Sequence, residues 1–77
     1  MRYLNLHFTL PDSTEVTEPN LTVNECMKEL KDLFSKYYGL DMKFSRHTIY
    51  NLVSRPQNAS AIYRQKVRIE MLPETNK

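Results

Sequence analysis

The chain opens on a strict alternation. In residues 2–10, Leu4, Leu6, Phe8 and Leu10 fall on one side, while Tyr3, Asn5, His7 and Thr9 fall on the other. A period of two with apolar and aromatic residues on one face predicts a half-buried strand. Residues 11–20, "PDSTEVTEPN", hold two prolines and three acidic side chains and read as an acidic loop. From Thr22 the period changes. Val23, Cys26, Met27, Leu30, Leu33, Phe34 and Tyr37 recur at spacings of three and four, which is one continuous helical stripe. Thr22 and Glu25 stand at capping-box spacing, so the threonine hydroxyl can accept from the Glu25 amide and the carboxylate can reach back to the Thr22 amide. Gly39 supplies the left-handed residue that ends many helices. The pattern predicts a helix over 22–38.

After a short connection, Ser45 is placed to cap a second helix and Pro56 to stop it, giving 45–55. At 100° per residue, Ile49, Leu52 and Val53 share one narrow arc. His47, Tyr50, Asn51 and Ser54 lie roughly opposite, and Arg46 and Arg55 stand on the flanks. "NASAIYRQ" suits one or two further helical turns. "KVRIEML", residues 66–72, alternates again and predicts a second strand, and 73–77 read as a flexible tail. The expected architecture is α+β: a single domain over 1–77, with two or three helices packed on a two-stranded antiparallel sheet made by the N- and C-terminal strands. Such a sheet leaves both edges open, and homodimerisation through an edge is an economical remedy.

Seventy-seven residues leave no room for a second core, and a chain of this length buries roughly 60% of its extended surface, so a partner helps it. No apolar run is long enough to span a membrane, and the alternating N-terminal segment lacks the apolar core of a secretory leader. A cytoplasmic protein is expected. Cys26 is the single cysteine; no internal disulfide is possible, and its place on the helical stripe makes it a small core hydrophobe.

Charge changes the picture most. The net +2 conceals an uneven distribution. Residues 1–42 carry four basic and seven acidic side chains, whereas residues 43–68 carry Lys43, Arg46, Arg55, Arg64, Lys66 and Arg68 with no acid among them. A block of one sign is the usual footprint of a polyanion partner, and the expectation is that these cations share one surface. The exposed side of helix 45–55 suits that partner: asparagine and arginine can each bond a base edge in two places, and the helix N-terminus directs free amides outward.

Residues 22–53, a capped helix ending at Gly39 followed by "SRHTIYNLV", resemble the helix-turn-helix unit of DNA-binding regulators, whose recognition helices carry similar Ser/Thr-x-x-Thr-hydrophobic-Tyr patterns. The resemblance implies a small, phage-like regulator of transcription in which Arg46, His47, Tyr50 and Asn51 face bases and backbone while Ile49, Leu52 and Val53 face the core. The connection from Gly39 to Ser45 is longer than the compact turn of that motif. Lys43, Arg55, Arg64, Lys66 and Arg68 are the expected phosphate contacts. DNA ranks above RNA as partner, although Tyr3, Tyr50 and Tyr63 could stack on single-stranded bases.

Catalysis is not expected, nor is a cofactor or a metal. His7 and His47 fall on different elements, Cys26 on a buried stripe, and one glycine cannot build a phosphate-cradling loop. The competing expectation is a non-enzymatic protein-interaction module, such as a viral accessory factor that binds a host protein through a strand edge or the basic face.

Overall fold

A computed structural model describes residues 2–73. The N-terminal alternation forms strand β1 (Leu4–Thr9), and its chain neighbour is a second strand, β2 (Glu15–Leu21). Helix α1 (Val23–Tyr38) and helix α2 (Arg46–Ser54) follow. A single 3-10 turn (Pro56–Asn58), a short helix α3 (Ala61–Lys66) and strand β3 (Val67–Met71) complete the chain. The sheet is antiparallel throughout, with strand order β2-β1-β3.

The α+β class and the pairing of the terminal strands agree with the sequence pattern, but the sheet has three strands. The segment expected to be an acidic loop is a hairpin. Leu10-Pro11-Asp12-Ser13 turns the chain, with Leu10 donating to the Thr14 carbonyl (2.7 Å) and Ser13 to that of Leu10 (2.9 Å). Ser13 takes the left-handed conformation, φ 73°, that glycine fills in most such hairpins. Asp12 accepts from the Thr14 amide and hydroxyl, which holds its carboxyl below the usual carboxylate range. Pro19 is tolerated because β2 is an outer strand. The register shifts by one residue between the pairs Leu4↔Leu21 and Leu6↔Glu18, a bulge in which Asn20 (φ 60°) donates its amide to the Asn5 side chain. The expected tail falls, beyond Pro73, outside the described residues.

Alternation places Leu4, Leu6, Phe8, Val67 and Ile69 on one face of the sheet, where Cys26, Leu30, Leu33 and Phe34 of α1 and Ile49 and Leu52 of α2 complete the core. Helix α1 begins with the full capping box, Glu25 amide to Thr22 Oγ1 at 3.1 Å and Thr22 amide to Glu25 Oε1 at 2.9 Å, and ends at Gly39 with φ 65°. Helix α2 is capped by Ser45, whose Oγ accepts from the Thr48 amide at 3.2 Å. Phe34 is the centre of an aromatic cluster: Phe8 meets it edge-on at 5.0 Å, Phe44 stacks at 5.9 Å, and Tyr63 approaches to 6.0 Å. Such pairs add about 0.5–1.5 kcal/mol each beyond their burial. The stripe on α1 ends differently from its sequence expectation. Tyr37 is exposed, with Lys36 over its ring, while Tyr38 turns inward and donates to the Thr9 carbonyl at 2.6 Å. Burial pushes the Cys26 thiol up to about 12, with Glu18 and Glu29 adding to the effect, so it behaves as a core hydrophobe.

Candidate nucleic-acid interface

The basic residues are not distributed as one surface. Lys43 and Arg55 are exposed at the two approaches to α2, and His47 is exposed on its first turn. Arg46 and Tyr50, one turn apart on α2, face a cleft of about 520 Å³ whose other walls are Arg2, Thr22, Val23, Asn24 and Met71. Three segments meet there beside α2: the chain two residues before β1, the N-terminal turn of α1 and the last residue of β3. The Tyr3 carbonyl accepts from the Leu72 amide at 2.9 Å, and this bond carries Arg2 to the side of the molecule where α2 begins. Two arginines, a tyrosine 45% exposed, an asparagine and the residues that open α1 therefore line one concavity. Among the described residues its walls contain no carboxylate. Thr22 and Glu25 satisfy each other's amides, and the Val23 and Asn24 amides have no hydrogen-bond partner among the described residues.

Arg64, Lys66 and Arg68 lie elsewhere. They line a smaller cavity of about 200 Å³ beside the first residue of β3, together with His7, Thr9, Glu15, Gln65 and Val67. The two cavities share no residue. In this second group one cation meets a carboxylate directly. Arg68 Nη1 is 3.2 Å from Glu70 Oε2, and His7 Nε2 lies 2.9 Å from Glu70 Oε1. The His7 ring also contacts Thr17 Oγ1 at 3.2 Å and comes within 3.8 Å of Glu15. The His7 hydrogen bond, with the nearby His7 and Arg68 charges, holds the Glu70 carboxyl below its ordinary range. Lys66 is drawn over the Tyr38 ring at 5.7 Å from its centroid. The expected basic residues thus divide between two cavities, one at each end of β3, and Glu15 and Glu70 lie beside the cations of the second. A five-residue strand spans roughly 15 Å, more than a Debye length at physiological salt, so the clusters act separately.

The remaining expected contacts fare unevenly. Asn51 is half-buried, and its carbonyl accepts from the Arg55 amide at 2.8 Å. Tyr63 is committed to Phe44 (5.2 Å) and Phe34 and is not a free stacking surface. Arg2, Asn24 and Met71 were not visible as site residues in the sequence, because only the β1–β3 register brings chain positions 2 and 71 beside position 46. Among the described residues no cluster of three metal-ligating side chains is present, and no helix is long and apolar enough to cross a membrane. No protein-family model, curated protein or solved structure matches the chain.

Proposed function

We propose that the protein is a small nucleic-acid-binding regulator, with duplex DNA as the preferred ligand, and that it binds through the N-terminal half of α2. One observation carries this reading: Arg46 and Tyr50 open onto a concavity lined also by Arg2 and the first residues of α1, with no acidic wall among the described residues. Guanidinium groups recognise phosphate oxygens bidentately, and a half-exposed tyrosine beside them offers a ring to a sugar or an unstacked base. Lys43 and His47, both exposed near the same turn, extend the cationic and hydrogen-bonding surface along the helix. Arg64, Lys66 and Arg68 line the other cavity and lie outside this surface.

Fluorescence anisotropy with random duplex, single-stranded DNA and RNA, repeated across a salt series, tests the reading. About two phosphate contacts predict a log–log salt slope near −2. Duplex should bind most tightly. Tighter binding to single strands would move the ring of Tyr50 from the sugar to the bases. Affinity that ignores salt, or that survives Arg46→Ala combined with Tyr50→Ala, rules the cleft out.

A further inference from the structure

The two outer strands of the sheet differ in how their free edges are protected. On β2, Pro19 lacks an N–H, and the bulge at Asn20 interrupts the edge. On β3 there is neither proline nor bulge. The Leu72 amide donates to the Tyr3 carbonyl, and the alternation of an antiparallel ladder then fixes the rest. Arg68 and Glu70 direct their backbone groups at β1, and Val67, Ile69 and Met71 direct theirs outward. The Val67 amide is taken by the Tyr63 carbonyl at the end of α3. The Ile69 and Met71 amides have no backbone partner among the described residues.

We propose that β3 pairs antiparallel with β3 of a second copy about a two-fold axis through Ile69, joining two three-stranded sheets into one. In this register Ile69 meets its own symmetry mate, a pair that exchanges both hydrogen bonds. Each Met71 amide meets the Val67 carbonyl across the axis. On the helix-free face Arg68 stands opposite Glu70 of the other copy, and the reverse holds by symmetry. Both side chains are about half exposed in the single chain and have room to turn outward. The charges also select the register. A slip of two residues in either direction sets Arg68 against Arg68 or Glu70 against Glu70, and like charges directly opposite destabilise a pair. The occupant this edge fits is therefore a copy of itself. The inference is independent of the nucleic-acid reading, since β3 meets the cleft only through the Met71 side chain.

Light scattering on the full chain over a wide concentration series should show the mass rising from 9.2 kDa toward twice that value. Arg68→Glu alone and Glu70→Arg alone should each be monomeric, because each places like charges across the axis. An equimolar mixture of the two should recover the dimer mass, since their charges complement one another between chains. A defect confined within one chain would not be rescued by mixing. Circular dichroism confirms that each exposed-site variant stays folded. For the unmodified chain, amide exchange at Ile69 and Met71 should slow as concentration rises. A wild-type chain that stays monomeric to near-millimolar concentration overturns the proposal. So do single variants that associate like wild type, a mixture that remains monomeric, or exchange at those amides that ignores concentration.

Discussion

The two ends of β3 carry cations in opposite settings. At the Met71 end, Arg46 and Arg2 share a concavity with a tyrosine and an asparagine. At the Val67 end, Arg64, Lys66 and Arg68 sit among Glu15, His7 and Glu70, and Lys66 rests on an aromatic ring. Among the described residues no carboxylate lines the first cavity, whereas the second holds Glu15 beside its cations. Arg68 Nη1 stands 3.2 Å from Glu70 Oε2, so a phosphate arriving there meets a carboxylate beside the guanidinium, although an exposed pair of this kind is itself worth only about 0–1 kcal/mol. Counting basic residues along a sequence therefore overstates a binding surface whenever the fold returns acids to their side.

Four substitutions break or sharpen this contrast. The largest effect is expected from Arg46→Ala, which should weaken duplex binding by about 1–3 kcal/mol, roughly 5- to 150-fold, in anisotropy titrations. Unchanged affinity would erase the distinction between the two ends. Ser45→Ala removes the cap that holds the first turn of α2 and with it Arg46. A loss of about 1 kcal/mol in chemical denaturation is expected, accompanied by weaker binding.

Glu70→Gln acts at the other end. Freed of its carboxylate, Arg68 should become available to phosphate, and the salt slope should steepen by about one unit. The same variant has a pH signature. Glu70 is held below its ordinary range chiefly by the His7 hydrogen bond, so the unfolded chain binds this proton more readily than the folded one. The contribution of Glu70 is complete above the ordinary carboxylate range and is lost as pH falls through the lowered value. Melting curves of wild type and Glu70→Gln should accordingly converge in acid and separate toward neutrality. The smallest effect belongs to Arg64→Ala, which should stay within about 0.5 kcal/mol in both stability and binding.

Legibility followed the length and strength of each pattern. Helix α1 was readable almost to the residue, because a capping box, a seven-residue stripe and Gly39 all point the same way. Tyr37 and Tyr38 were not separable, since both lie within reach of the stripe and only the position of the Thr9 carbonyl selects Tyr38. Strand β2 was missed for a physical reason. On its core-facing side it offers just Val16, Glu18 and Leu21, none of them fully buried, and Pro19 within it is the ordinary mark of a loop. Pro11-Asp12 followed by a left-handed Ser13 was the available hairpin signal, weakened by serine standing where glycine is usual. Of the cleft, Arg46 and Tyr50 were readable from the face of a helix, whereas Arg2, Asn24 and Met71 join them through long-range pairing that no local pattern encodes.

Strand β1 lies between a neighbour made almost at once and another made much later: His7 pairs with Thr17, but also with Arg68. During synthesis, the hairpin emerges and can close before residues 67–71 have left the ribosome. Its central strand must then wait, one flank bare, until Arg68 has cleared the ribosome exit tunnel. Over that interval the nascent protein is a sticky half-sheet. Any partner able to lend it a temporary strand, a chaperone or a neighbouring nascent chain, competes with the native one.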